Sequence, residues 1–333
     1  MNSPPRVLIV GAGSIGERHL RCFGSTGRAQ MALCEINPEL RKSIADRYQI
    51  SEVFDDYTTA LNTRPEVVVL CTPAHLHVPM AIDGAKIGAH LLIEKPLSTT
   101  LRGIQELAEL TVQQQLVVGI AYVYRSHPAL AAMRTEIAQG RFGQPLEIIA
   151  TCGQHFPLYR PAYREIYYNN HATGGGAVQD ALTHIINAGE WLVGNVTRVV
   201  SDIAHLALEG VEVEDTANVL ARHGSVLGAY CLNQHQAPNE TTITVICERG
   251  TARFESHHSR WRWMTEPGGN WTDECAVSLE RDTLFVRQAE AFLDAVSSRS
   301  NPLCSLEQGR HTLKVNLAIL RSAESHTWES VPS

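Results

Sequence analysis

Three groups of residues in this chain have types and spacings suited to chemistry. The first is Gly11-Ala12-Gly13-Ser14-Ile15-Gly16, where backbone amides rather than side chains are the working groups. In such a run the first glycine permits a tight turn, the second lets a diphosphate approach the backbone, and the third lets a helix pack closely on a strand. Free N–H groups and the macrodipole at the start of the following helix favour negative charge. Glu35 ends the next apolar run, nineteen residues past Gly16. A carboxylate there accepts hydrogen bonds from adenosine ribose hydroxyls and repels a 2′-phosphate. The combination predicts a bound dinucleotide, NAD in preference to NADP. Arg41, one turn into the next helix, complicates that choice.

The second group lies at the carboxyl ends of two apolar runs, where open α/β sheets bind ligands. It consists of Cys71-Thr72-Pro73-Ala74-His75-Leu76-His77 and Glu94-Lys95-Pro96-Leu97-Ser98. Thr72, Pro73, His75, His77, Glu94 and Lys95 are the candidate cofactor contacts. Lysine is scarce (Lys42, Lys86, Lys95 and Lys314), so Lys95 at a strand end is not surface filler. The plainer reading of Lys95 is a surface salt bridge with Glu94.

The third group is Asp180 and His184, whose spacing puts both on one side of a helix just after Gly174-Gly175-Gly176. Oxidising an alcohol needs a base for the hydroxyl proton, and an imidazole titrating near neutrality suits that task. An ammonium such as Lys95 steadies developing alkoxide charge. Asp180 either holds the imidazole tautomer or binds a second substrate hydroxyl. The plainer readings are a partly buried helical histidine and an aspartate that only complements the helix dipole.

These groups must be positioned by the elements around them. Short β-branched runs at Val7–Val10, Met31–Cys34, Val67–Cys71, Leu91–Ile93 and Leu116–Ile120 alternate with helical stretches at 15–23, 38–48, 76–87 and 101–115. That alternation predicts right-handed βαβ units and a parallel sheet covered on both faces. The fold class is therefore α/β, a Rossmann domain at 1–123. A second α+β domain at 124–333 carries a large, mostly antiparallel or mixed sheet between about 196 and 264. The final helix, about 306–325, is a candidate to pack back on the first domain.

A chain of 333 residues suits two domains. Its net charge of -7 disfavours nucleic acid and anionic membrane as partners. Apolar runs are too short to span a bilayer, and Val7–Val10 reads as a strand rather than a signal peptide, so a cytoplasmic location is expected. Eight cysteines without a CxxC pair read as reduced, buried thiols. The histidine pairs at 75/77 and 257/258 lack a third ligand at recognisable spacing, so no metal is expected.

GAGSIGERH (11–19), CTPAHLH (71–77), EKPLS (94–98), VGIAYVYRSHP (118–128) and GGGAVQDALTH (174–184) occur in an order and spacing that resembles the glucose–fructose oxidoreductase / inositol dehydrogenase / MocA family. The resemblance covers essentially the whole chain. It implies an NAD-dependent oxidoreductase acting on a secondary hydroxyl or ketone of a sugar, sugar derivative or polyol. It also implies Lys95, Asp180 and His184 as the catalytic group, and a homodimer or homotetramer built through the second-domain sheet. An NAD-retaining glycosidase and a non-catalytic dinucleotide-binding sensor are the alternatives on the same fold. Leu182 and Asn187 depart from the family's usual glycine and acidic residue.

The segment 154–173 concentrates tyrosines and arginines just before the glycine run and is similar to a segment of members from sugar-nucleotide pathways. Arg160, Tyr163 and Arg164, with Arg125, are the predicted substrate contacts. Two guanidinium groups in a pocket need an anion, which predicts a sugar nucleotide or sugar acid. The competing reading has these arginines paired within the protein or with a neighbouring subunit.

Overall fold

The computed structural model describes residues 4–274 and 278–332. Along the chain, β1 (Arg6–Val10), α1 (Ser14–Ser25), β2 (Gln30–Cys34), α2 (Pro38–Tyr48), β3 (Glu52–Phe54) and α3 (Tyr57–Asn62) come first. Then follow β4 (Val67–Leu70), α4 (Ala74–Lys86), β5 (His90–Ile93), α5 (Ile104–Gln113) and β6 (Val118–Ile120). Next are α6 (Pro128–Ala138), β7 (Pro145–Gly153), α7 (Phe156–Tyr159) and, after a π turn at Val178–Leu182, α8 (Thr183–Val193). Strands β8 (Arg198–Ala204), β9 (Thr216–His223), β10 (Val226–Asn233), β11 (Glu240–Cys247), β12 (Gly250–Glu255), β13 (Arg260–Met264) and β14 (Thr272–Glu274) precede α9 (Thr283–Ser298), α10 (Leu306–Ser325) and β15 (Glu329–Ser330).

The chain divides into two compact units, Met1–Ser126 with Glu280–Arg310, and His127–Leu279 with His311–Ser333. In the first unit six parallel strands run in the order β3-β2-β1-β4-β5-β6. Strand order reverses between β1 and β4, which opens a crevice beyond their carboxyl ends. Val67, Val68, Val69 and Leu70 are all fully buried, as expected for a strand covered on both faces. Strand β3 and helix α3 are not evident in the sequence pattern, because three and six residues are too short to show a period.

Residues 280–310, which sequence order attaches to the second domain, pack in the first unit. The reason is the apolar face of α9: Ala289, Phe292 and Leu293 join one buried cluster with Val7, Leu20 and Phe23. Asp282 reinforces the contact, accepting from Arg21 Nη2 at 2.8 Å and lying 3.4 Å from Arg18 Nε.

The second unit is built on a nine-stranded mixed sheet, ordered β14-β13-β12-β11-β7-β10-β9-β8-β15. Only β7 and β10 pair in parallel; the other neighbours are antiparallel. Side chains alternate along β9: Ala217, Val219 and Ala221 are buried, whereas Leu220 is 55% exposed. Helices α6 and α8 pack on one face. The other face carries Ile149, Leu220 and Leu227 at 37% exposure or more.

A buried polar ladder joins α8 to α10 within this unit. Asn187 Nδ2 donates to Thr312 Oγ1 (2.9 Å), Thr312 Oγ1 donates to Glu190 Oε2 (2.6 Å), and His311 Nδ1 lies 2.6 Å from Glu190 Oε1. Leu182 is fully buried, so both departures from the family pattern sit in the core of this unit. The described cysteines are free thiols, most of them buried; Cys275 lies outside the described residues. Among the described residues no helix is long and apolar enough to cross a membrane.

Phe292→Ala removes a side chain that is 2% exposed in the cluster shared by α1 and α9. We expect a loss of roughly 3–5 kcal/mol in unfolding free energy. Hydrogen exchange should quicken in α1 and β1–β6 while β7–β13 keep their protection. Equal quickening in both units would count against the assignment of α9 to the first.

Candidate active site

The glycine run does what its spacing predicts. Gly11 has φ +88°, its N–H donates to Cys34 O (2.8 Å), and a Cβ there would meet Cys71 O at 3.0 Å. A Cβ on Gly16 would fall 1.8 Å from Gly11 O, so only glycine lets α1 start against β1. Gly13 has open space around its Cβ position and caps α1 without any side-chain bond to the first-turn amides. The N–H groups of Ser14, Ile15 and Gly16 therefore belong to a helix start that a diphosphate fits.

Glu35 is buried at the end of β2, its Oε2 accepting from Ala12 N–H (2.6 Å) and its Oε1 from Asn37 N–H (2.8 Å). The carboxylate thus sits against the glycine loop itself, where a ribose would lie. Arg41 donates from Nη1 to the Glu35 carbonyl (2.7 Å) and reaches Asp55 only at 4.0 Å.

The two strand-end segments are tied together by buried histidines. His77 is 1% exposed, with Nε2 2.7 Å from Thr72 O and Nδ1 3.0 Å from Pro96 O. Burial lowers its pKa, partly offset by the two carbonyls. His77 therefore links the segments rather than facing a ligand, which corrects its place among the direct cofactor contacts. Glu94 is buried too: Oε1 lies 2.7 Å from His19 Nε2, and Oε2 accepts Lys95 N–H at 3.1 Å. This replaces the surface salt-bridge reading of Glu94. Lys95 itself is half-buried, and its peptide to Pro96 is cis. Thr72 is half-buried, while Pro73 and His75 are exposed at the start of α4.

His19 escaped sequence reasoning. The available signal was a histidine on the otherwise apolar buried face of α1, three residues past Gly16.

In the second unit, the glycine run leads into the π turn that carries Asp180, and His184 stands at the start of α8. Both are partly exposed. Glu214, another residue the sequence did not single out, holds this helix start. Its Oε1 accepts Val178 N–H (2.9 Å), its backbone carbonyl accepts Ala177 N–H (2.9 Å), and Oε2 is 2.5 Å from His171 Nε2. The bond to Glu214 raises the His171 pKa above its ordinary value, against the effect of burial. Tyr167 donates its phenol to Asp180 Oδ1 at 2.6 Å.

The predicted substrate contacts fare differently. Tyr163 is 1% exposed, packed with Phe156 and Tyr168, and its OH donates to Glu209 O (2.7 Å). Its ring is core, with no open face for a ligand. Arg164 donates from Nε to Glu209 O (2.8 Å), lies 3.6 Å from the Glu209 carboxylate and stacks over Tyr163 at 4.9 Å. It is matched within the protein by a residue that its spacing in the sequence did not point to. Arg125 is 4% exposed and donates to Leu303 O (3.0 Å) and Gln308 Oε1 (2.8 Å), so it belongs to the interior of the first unit. Arg160 lies exposed on the loop.

Residues 5–122 match the domain described as "Oxidoreductase family, NAD-binding Rossmann fold", and residues 130–253 match the GFO/IDH/MocA C-terminal domain. Levoglucosan dehydrogenase of Pseudarthrobacter phenanthrenivorans is 27% identical over 203 residues, 58% of this chain and 52% of that protein, so the aligned stretch spans about half of that relative. D-glucoside 3-dehydrogenase of Escherichia coli is 22% identical over 350 residues, 98% of this chain and 97% of that protein. A solved levoglucosan dehydrogenase in complex with NADH and levoglucosan shares the fold, with a TM-score of 0.90 at 21% identity over 99% of this chain and 100% of that one. With both domain signatures present in order, the chain belongs to the Gfo/Idh/MocA oxidoreductase family, on that family's NAD-binding Rossmann fold.

Proposed function

We propose that this protein moves a hydride between NAD and a secondary hydroxyl or ketone of an uncharged sugar, sugar derivative or polyol. The observation that carries the reading is the helix start of the second unit, where Asp180 and His184 follow a glycine run fixed by Glu214. Gly11–Gly16 and Glu35 hold the dinucleotide, which supplies the hydride acceptor or donor. His184 takes the hydroxyl proton as the carbonyl forms, and returns it in the reverse direction. Lys95 orients the reacting oxygen and steadies its developing negative charge. Asp180 accepts a neighbouring hydroxyl or keeps the imidazole in its working tautomer.

The expectation of an anionic substrate keeps less support, because Arg164 is matched by Glu209 and Arg125 is interior, while Arg160 stays exposed on the loop. An acidic group at Asp180 also disfavours a negatively charged substrate. The relatives named for levoglucosan and D-glucosides support a neutral ring with several hydroxyls.

An NADH-absorbance screen with levoglucosan, methyl glucosides, myo-inositol and a sugar-nucleotide acid tests this reading. We expect turnover with a neutral compound. Lys95→Ala and His184→Ala should each lower it by roughly 100-fold or more with NADH affinity nearly unchanged. Near wild-type turnover in either variant would overturn the role of the residue replaced.

We further propose NAD rather than NADP, since the Glu35 carboxylate lies against the glycine loop. NADH should bind more tightly than NADPH, and Glu35→Ser should narrow the gap in dissociation constants. Tighter NADPH binding by the unaltered protein would mean that Arg41 dominates.

Oligomerisation through the open sheet face completes the proposal. Leu220 and Leu227 are 55% and 45% exposed there, and Ile149 lies beside them in register. Such a patch calls for a covering surface, and a second copy supplies it. Light scattering should give a dimer or tetramer; a stable monomer at micromolar concentration would refute it.

A further inference from the structure

We infer that Tyr167 is a positioning residue for the reaction: its phenol fixes the Asp180 carboxylate and so couples the 154–173 segment to the start of α8. The inference rests on the proposal that Asp180 works on the substrate.

The contact is Tyr167 Oη to Asp180 Oδ1 at 2.6 Å, the length of a hydroxyl donating to a charged carboxylate. Tyr167 is not a mobile surface residue that happens to touch an aspartate, because its backbone is held on both sides. The next residue, Tyr168, is fully buried, 4.6 Å from the Phe156 ring and 6.3 Å from Tyr163, and its phenol donates to Gln234 Oε1. Thr173 Oγ1 donates to the Tyr167 carbonyl (2.7 Å), and Gly176 N–H donates to the Tyr168 carbonyl (3.1 Å). With Tyr168 committed to the core, its neighbour is fixed as the residue that presents a phenol to Asp180.

Asp180 for its part sits in a π turn, where Thr183 N–H bonds the Val178 carbonyl. Such turns are rare and cluster at functional sites. A carboxylate on this widened turn needs an outside donor to fix its plane. The phenol supplies that donor from the segment that precedes the glycine run.

The test is a double-mutant cycle on the full protein, assayed with whichever screened sugar turns over. Tyr167→Phe should lower kcat about tenfold with KM within about twofold. Thermal midpoint and NADH affinity should stay at wild-type values. Tyr159→Phe, an exposed phenol on the same segment, should leave turnover unchanged. In an Asp180→Asn background, Tyr167→Phe should have no further effect, because the two act as one unit.

A full additional tenfold loss in that background, or wild-type kcat in Tyr167→Phe, overturns the inference alone. Wild-type turnover in Asp180→Asn overturns the reading of Asp180 and the inference with it. A substrate-free measurement covers the contact itself, using protein labelled at the tyrosine 13Cζ and loaded with NADH. The resonance that disappears in Tyr167→Phe should move in Asp180→Asn, and the other tyrosines should not. An unmoved resonance refutes the contact.

Discussion

At the start of two site-bearing helices the backbone of this protein passes so close to another backbone carbonyl that a methyl group has no room. One is Gly16, whose missing Cβ lets α1 start against the Gly11 carbonyl. The other is Gly175, where a Cβ would lie 2.2 Å from the Tyr168 carbonyl. Each close approach fixes the start of a helix that carries a site. At Gly16 it aims first-turn amides outward for a diphosphate. At Gly175 it presses the Tyr167–Tyr168 segment against the turn bearing Asp180. The side chains with chemical roles are arranged around backbone contacts that tolerate only hydrogen.

Around these contacts the supporting groups are buried and polar. His19 and Glu94 sit behind Lys95, and Glu214 sits behind the π turn. On the far side of α8, Asn187, Glu190, Thr312 and His311 form a ladder inside the second unit. Buried polar groups without partners are expensive, so each such pair narrows the arrangements its helices can take. The helix of Asp180 and His184 is thereby fixed in rotation as well as in position.

The fold was largely legible in the sequence, and the site only partly. Continuous apolar runs such as Val67–Leu70 identify strands of a doubly covered sheet, and glycine spacing identifies the dinucleotide cradle. Residues whose effect is local, such as Gly16 and Glu35, were readable because a strand or helix fixes their direction. Tyr163 was misread because spacing in an irregular segment fixes no direction, and its ring went into the core; for the same reason the bond from Arg164 to Glu209 was not legible. His19, Glu214 and Tyr167 were missed because their partners, Glu94, His171 and Asp180, lie on other elements. The place of α9 was equally hidden, since an amphipathic face does not say which core it will cover.

The contribution of α9 to the first unit has a consequence for how the chain is made. The apolar face of α1, with Leu20 and Phe23, leaves the ribosome long before Phe292 and Leu293, which join it in one cluster. The Rossmann half therefore cannot finish as its own strands emerge from the ribosome. The second unit waits as well, because its final segment begins at His311. Each half thus closes only after its own late segment, α9 for the first and the stretch from His311 for the second, has been made.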